Sequence, residues 1–142
     1  MSAKMEILAD AVIGLKDGLI TLVDKSHPVQ AGKIIDATDC LVLPGLVNTH
    51  THLPMVCFRG MADDLPLMDW LTNHIFPAEA RFVDKKMVYD GAMLAMAEMI
   101  LSGTTTFCDG YFFENQIAEA VQACGMRAVV SQGFADFATP DN

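Results

Sequence analysis

Short apolar runs separated by polar turns fill the first forty-odd residues. Ala11-Val12-Ile13-Gly14-Leu15-Lys16 and Leu19-Ile20-Thr21-Leu22-Val23 flank the pair Asp17-Gly18. Both residues of that pair tolerate positive φ, so the pattern predicts a β-hairpin closed by a type I′ turn. Beyond a polar loop around Ser26-His27-Pro28, the runs Lys33-Ile34-Ile35-Asp36 and Cys40-Leu41-Val42-Leu43 predict two further strands. Residues 1–44 are therefore expected to form a small all-β layer, a β-sandwich segment, and Pro44-Gly45 punctuates its end.

From residue 45 strands and helices alternate. Leu46-Val47-Asn48-Thr49-His50 reads as a short buried strand ending in polar residues, followed by a long loop holding a short helix from Leu67 to Ile75. Asp84 is placed to N-cap a helix running to about Leu101, with apolar positions at Val88, Leu94, Ala95, Met99 and Leu101 and Gly103 as its stop. Thr104 to Cys108 predicts a second strand, Glu114 to Cys124 a helix through Ile117, Ala120 and Val121 that stops at Gly125, and Arg127 to Ser131 a third strand. Strand, helix, strand, helix, strand is the order of a parallel α/β sheet with right-handed crossovers. It suits an open doubly wound sheet or the start of a (β/α)8 TIM barrel. The first strand is not followed by a Gly-rich phosphate fingerprint, which disfavours the dinucleotide-binding alternative. Two domains are expected, 1–44 and 45–142.

Composition narrows the function classes. The 142 residues are 52% hydrophobic, enough for a packed core, and nine basic against eighteen acidic residues leave a net charge of -9. Binding to a phosphate backbone needs clustered Lys and Arg, so nucleic acid and anionic membrane surfaces are not expected partners. Cys40, Cys57, Cys108 and Cys124 form no CxxC pair and read as reduced, mostly buried thiols. Glu6 and Asp10 interrupt any apolar leader, and the run Gly91 to Leu101 is too short for a bilayer and contains Glu98. A soluble, cytoplasmic protein is the expectation.

The candidate chemistry centres on His50 and His52, which flank one residue at the carboxyl end of the first parallel strand. Strand side chains alternate, so both imidazoles share a face and can reach one metal ion. Active sites of parallel α/β folds form at that end of the strands. On spacing alone, two histidines capping a turn or meeting solvent explain the pair as well.

The surrounding text decides between these. Pro44-Gly45-Leu46-Val47-Asn48 leading into His50-Thr51-His52 resembles the strand-one signature of the amidohydrolase superfamily. The resemblance continues through Phe58-Arg59-Gly60, Ala62-Asp63-Asp64-Leu65-Pro66-Leu67, Asp69-Trp70-Leu71, Pro77-Ala78-Glu79-Ala80-Arg81, Gly103-Thr104-Thr105, Asp109, Tyr111-Phe112-Phe113 and Gly125-Met126-Arg127-Ala128. This combination looks most like the methylthioadenosine/S-adenosylhomocysteine deaminases and their chlorohydrolase relatives. The resemblance implies a (β/α)8 barrel with one divalent metal, usually Zn and sometimes Fe. His50 and His52 would be two of its ligands, with histidines from strands five and six and an aspartate from strand eight lying beyond residue 142. It implies hydrolytic deamination of a purine nucleoside or related aminoheterocycle, with a carboxylic acid near those later ligands shuttling protons.

The resemblance places Glu79 at a position that contacts ribose hydroxyls; the residues alone equally suit a first-turn or loop carboxylate paired with Arg81. Trp70 and the Tyr111-Phe112-Phe113 run are candidates to line a pocket for a flat heterocycle or to serve as packing. Asp109 either faces the catalytic end or caps the next loop through an Asx-turn. Asp63 and Asp64 with Arg59 read as loop-ordering charges, and His27 and His74 as exposed or structural. Other readings are a triazine-type chlorohydrolase, a guanine or cytosine free-base deaminase, or a non-catalytic truncated fragment. A full barrel needs roughly 200 residues or more, and the usual opening strand is short or missing here. The expectation is thus about three β/α units of an incomplete barrel, inactive alone, whose open edge is covered by the rest of the polypeptide or by further copies of the chain.

Overall fold

A computed structural model of the chain describes residues 6–25 and 30–142. The expected loop at Ser26-His27-Pro28, with His27, lies outside the described residues. The chain divides into two compact units, Met1–Pro44 and Gly45–Asn142.

In the first unit, β1 (Val12–Lys16) and β2 (Leu19–Asp24) pair antiparallel, with Lys16 opposite Leu19. The two-residue turn has φ of 53° at Asp17 and 77° at Gly18, as a type I′ hairpin requires. The strands expected at 33–36 and 40–43 do not form. Asp36 instead accepts from the backbone and hydroxyl of Thr38 at 2.9 and 2.6 Å, and Cys40 N–H donates to the Ala37 carbonyl at 3.0 Å across a turn with Asp39 at φ 61°. An apolar run becomes a strand only when a neighbouring strand takes its backbone hydrogen bonds. Among the described residues none pairs with these runs, and the expected β-sandwich layer reduces to one hairpin.

The second unit is a mixed α/β body around a three-stranded parallel sheet. β3 (Leu46–Thr51) and β5 (Arg127–Gln132) flank the central β4 (Thr104–Tyr111). All three expected strands are present and parallel. Two irregularities shape the β3–β4 ladder. The partner of Leu46 is Thr104 and that of Val47 is Thr106, which leaves Thr105 extra in β4. A Cβ on Gly45 would lie 2.1 Å from the Thr105 hydroxyl, so the bulge requires glycine there. Between Asn48 and Thr51 it is β3 that carries an extra residue, beside His50; such bulges re-aim side chains.

A 3₁₀ turn, Leu53–Phe58, follows β3. The short helix expected at 67–75 runs further: α1 (Leu67–Asp69), a π-helical stretch Trp70–Ile75 and α2 (Phe76–Phe82) are continuous. Pro77 has no N–H for the preceding turn, and the wider π turn before it accommodates that loss.

In α3 (Lys85–Leu101) Asp84 caps the start, accepting from Met87 N–H at 2.7 Å. Its buried stripe is Val88, Gly91, Ala92, Ala95 and Met96. Leu94 and Leu101, expected on the core face, lie on the exposed side, because they are out of phase with the 88–92–95–96 stripe. α4 (Glu114–Cys124) ends at Gly125 with φ 77°. These helices cover one face of the sheet around Phe107, Met96, Val88 and Ile117, each fully buried. Cys40 and Cys57 are exposed and Cys108 and Cys124 half-buried, so the thiols are free but less buried than expected. Among the described residues no helix is long and apolar enough to cross a membrane.

Candidate metal centre and its surroundings

At the carboxyl end of β3 the Thr51 side chain bonds to β4, while His50 and His52, one residue to either side, bring their rings together. Their Nε2 atoms stand 3.2 Å apart, with ring planes at 87°. Two nitrogens bound to one tetrahedral ion at about 2.0–2.1 Å stand roughly 3.3 Å apart, so the observed spacing fits a shared ion. A direct N–H···N hydrogen bond fits the distance as well. The orientation of His52 bears on this choice: its Nδ1 lies 2.6 Å from the Gly110 carbonyl. A carbonyl only accepts, so Nδ1 carries the proton and in a neutral ring Nε2 presents its lone pair, either to an ion, as in metal-binding imidazoles, or to a His50 N–H. Among the described residues no group of three or more His, Cys, Asp or Glu side chains is placed to hold one ion, so the described residues offer the pair without a third ligand.

Behind the pair lies a buried polar cluster on the helix-covered side of β4. Asp109 Oδ1 accepts from Leu53 N–H at 2.9 Å and meets the Thr51 hydroxyl, which also lies 2.8 Å from the Cys108 carbonyl. Asp109 thus reaches back to the residues on either side of His52 and does not form the Asx-turn allowed by the sequence. Burial raises its pKa above the usual carboxylate range, against hydrogen bonds from Thr51 and Leu53. Glu114 accepts from Tyr111 N–H. Burial, and then the charge of Asp109, push its carboxyl up to about 7.

Glu79 is 6% exposed. Its Oε1 accepts the Tyr111 phenol at 2.8 Å, and it is not paired with Arg81, whose guanidinium lies 4.9 Å over the Phe82 ring. Burial raises the Glu79 pKa, opposed by the Tyr111 hydrogen bond and the nearby His52. The Tyr111 hydroxyl is pushed well above its ordinary value, by burial first and then by Glu79. The Tyr111 and His52 rings are 6.2 Å apart, so Glu79, Tyr111 and His52 form one neighbourhood. Glu79 also lines a cavity of about 350 Å³ walled by Phe76, Phe112 and Phe137.

Trp70 does not line that cavity; it sits half-buried in the π-helical turn. Arg59 does not order Asp63 and Asp64. It makes a two-pronged ion pair with Glu98 at 3.0 and 2.6 Å, because the 3₁₀ turn carrying it packs on α3. His74 is exposed, as expected.

Four contributors were not singled out in the sequence: the Gly110 carbonyl, Thr51, Glu114 and Asp141. A backbone carbonyl leaves no trace in side-chain pattern, whereas Glu114, an acid opening a helix, carries a weak signal. Asp141 accepts from Phe113 N–H, Gln132 and Thr139 at 3.0, 2.7 and 2.8 Å. It thereby ties the segment after β5 to Phe113, whose φ of 53° is unusual for a bulky residue.

The model of the amidohydrolase family matches residues 41–141. The chain is 60% identical over 111 residues to a 5-methylthioadenosine/S-adenosylhomocysteine deaminase of Syntrophobacter fumaroxidans, covering 78% of this chain and 25% of that protein. It is 53% identical over 112 residues to a 5'-deoxyadenosine deaminase of Methanocaldococcus jannaschii, covering 79% and 26%. Among solved structures, an adenosine deaminase from Xanthomonas campestris with bound zinc superposes with a TM-score of 0.83 at 37% identity, covering 96% of this chain and 32% of that one. The chain thus spans about a quarter to a third of the length of these relatives.

Proposed function

This chain belongs to the amidohydrolase family, and we propose that it forms the N-terminal part of a metal-dependent hydrolytic deaminase acting on adenosine-type nucleosides. In this reading the sheet of the second unit is the first stretch of a (β/α)8 barrel, with the open face of β3 turned to the barrel interior. The observation that carries the proposal is the convergence of the His50 and His52 Nε2 atoms, 3.2 Å apart, with the His52 tautomer set by Gly110. Support for the substrate class comes from the names of the relatives, which are deaminases of adenosine-type nucleosides.

His50 and His52 would hold one divalent ion, Zn by preference, with the remaining ligands and the proton-shuttling acid supplied from beyond residue 142. Such an ion supplies Lewis-acid activation of water near neutral pH. The residues of this chain do the rest of what can be assigned to it. Gly110 keeps the His52 ring from turning. Glu79, with one lone pair engaged by Tyr111, retains acceptor capacity for the two ribose hydroxyls. Phe76, Phe112 and Phe137 give that cavity an apolar wall.

The test is His50→Ala and His52→Ala in the full-length protein. Each should lose bound metal and hydrolysis together, because removing one neutral imidazole takes away both affinity and geometry. Stoichiometric metal by elemental analysis in either variant, or retained turnover, would refute the assignment.

A further inference from the structure

Two buried oxygens are left over once the hydrogen bonds behind His52 are assigned. Asp109 is 3% exposed and Glu114 4%. Asp109 Oδ1 is engaged by Thr51 and Leu53, and Glu114 Oε1 by Tyr111 N–H. Asp109 Oδ2 and Glu114 Oε2 are both fully buried without an assigned donor, and the two carboxyls are close enough to act on one another. Ionised carboxylates are acceptors only, so two of them placed together leave both inner oxygens unsatisfied. A single proton between the inner oxygens satisfies both.

We infer that Asp109 and Glu114 form a buried acid pair that shares one proton, and that Asp109, so anchored, is a positioning residue for His52. The inference rests on the metal-centre reading above. Asp109 Oδ1 accepts from Leu53 N–H and meets the Thr51 hydroxyl, whereas Glu114 Oε1 accepts one backbone N–H, and this denser donor set favours Asp109 as the carboxylate and Glu114 as the acid. The upward displacement of Glu114, to about 7, agrees with that division. Asp109 then grips Thr51 through its side chain and Leu53 through its backbone, the residues bracketing His52, while the next residue in β4, Gly110, accepts from His52 Nδ1. One strand thereby fixes both the backbone that carries the imidazole and the direction of its lone pair. Glu114 adds the last link, holding Tyr111 N–H and so the turn that brings Tyr111 to Glu79.

The test uses amide substitutions of nearly unchanged shape in the full-length protein, with zinc affinity measured by chelator competition. In Asp109→Asn the new amide N–H can donate to Glu114, and in Glu114→Gln the amide N–H can donate to Asp109, so each single change keeps one donor between the inner atoms. The double change sets two amide groups face to face with donor against donor. The expected result is a loss of under about threefold in zinc affinity for each single variant and about 10–100-fold for the double and for Asp109→Ala, the range for lost outer-shell partners of metal ligands. Circular dichroism should remain native in the amide variants, which separates positioning from folding. A single variant as weak as the double, or a double no weaker than the product of the two single losses, overturns the shared proton. Native zinc affinity in Asp109→Ala overturns the positioning role. A wild-type protein that binds no zinc refutes the metal centre itself, and the inference with it.

Discussion

Residues 6–44 and 45–142 have similar apolar runs and very different fates. In the second region Phe107, Val88, Met96 and Ile117 are fully buried between the sheet and two helices. In the first, Ile34 is 76% and Leu41 73% exposed, and among its described residues none is buried. Composition does not separate the two; layering does. A hydrophobic face is buried only against a second element with its own apolar face, and α3 and α4 supply one for the parallel sheet. Among the described residues of its own unit the hairpin has none, and what holds it there is the turn chemistry of Asp17-Gly18.

The largest effect should come from the layered region. Phe107→Ala removes the central side chain of β4 and is expected to cost about 3–5 kcal/mol, the range for a buried aromatic, read as a fall in the urea midpoint of the full-length protein. No single truncation in residues 6–44 is expected to match it. A comparable loss from Leu41→Ala would break the comparison, because it would mean that Leu41 is packed against an apolar face after all.

This contrast also accounts for what was legible in the sequence. The strands at 46, 104 and 127 and the helices at 85 and 114 carry their partners within the same stretch of chain, and their period and caps, Asp84 and Gly125, were enough to find them. The runs at 33–36 and 40–43 have equal β-propensity, but strand formation depends on a partner that propensity does not specify. Within the site, alternation and position brought His50 and His52 together as a pair, and the resemblance of the residues around them favoured a metal over two turn-capping histidines. The tautomer-setting Gly110 carbonyl and the Asp109–Glu114 contact depend on the β3–β4 register, with its two bulges, which no short-range pattern encodes.

The next effect tests whether the region's cavity is a binding site or packing. Glu79→Gln is expected to lower kcat/KM by the equivalent of about 1.5–3 kcal/mol for a nucleoside with a 2′,3′-diol, the worth of a hydrogen bond to a charged group. Little change is expected for the 2′,3′-dideoxy analogue. Equal losses on both substrates, or none on either, would remove Glu79 from ribose recognition and return it to a packing role with Tyr111.

Glu114 gives the second region a pH signature. Its folded pKa, about 7, lies above the ordinary value of 4.5. The folded state therefore holds a proton that the unfolded state has released between these values. The associated stability is fully present below about pH 4.5 and is lost as the pH rises through 7. With allowance for screening by water, the loss should be on the order of 2 kcal/mol. Urea midpoints at pH 5.5 and 8 should fall further for wild type than for Glu114→Gln, which has no proton to lose. Parallel falls would mean that Glu114 ionises as an ordinary carboxylate.

The smallest effect belongs to the hairpin and tests the claim that turn chemistry alone sustains it. Gly18 has φ 77°, and nothing lies within 4 Å of where a Cβ would be, so Gly18→Ala introduces backbone strain without a clash. Holding an alanine in the left-handed region costs about 1 kcal/mol, and the cost should fall on the hairpin. Amide hydrogen exchange across β1 and β2 should speed up in Gly18→Ala while β4 keeps its protection and zinc affinity stays at the wild-type level. Gly18→Asn supplies the control, since asparagine tolerates positive φ better than alanine and should recover most of the protection. If alanine leaves exchange in β1 and β2 untouched, contacts other than the Asp17-Gly18 turn hold the hairpin, and the first region is better layered than its exposed side chains indicate.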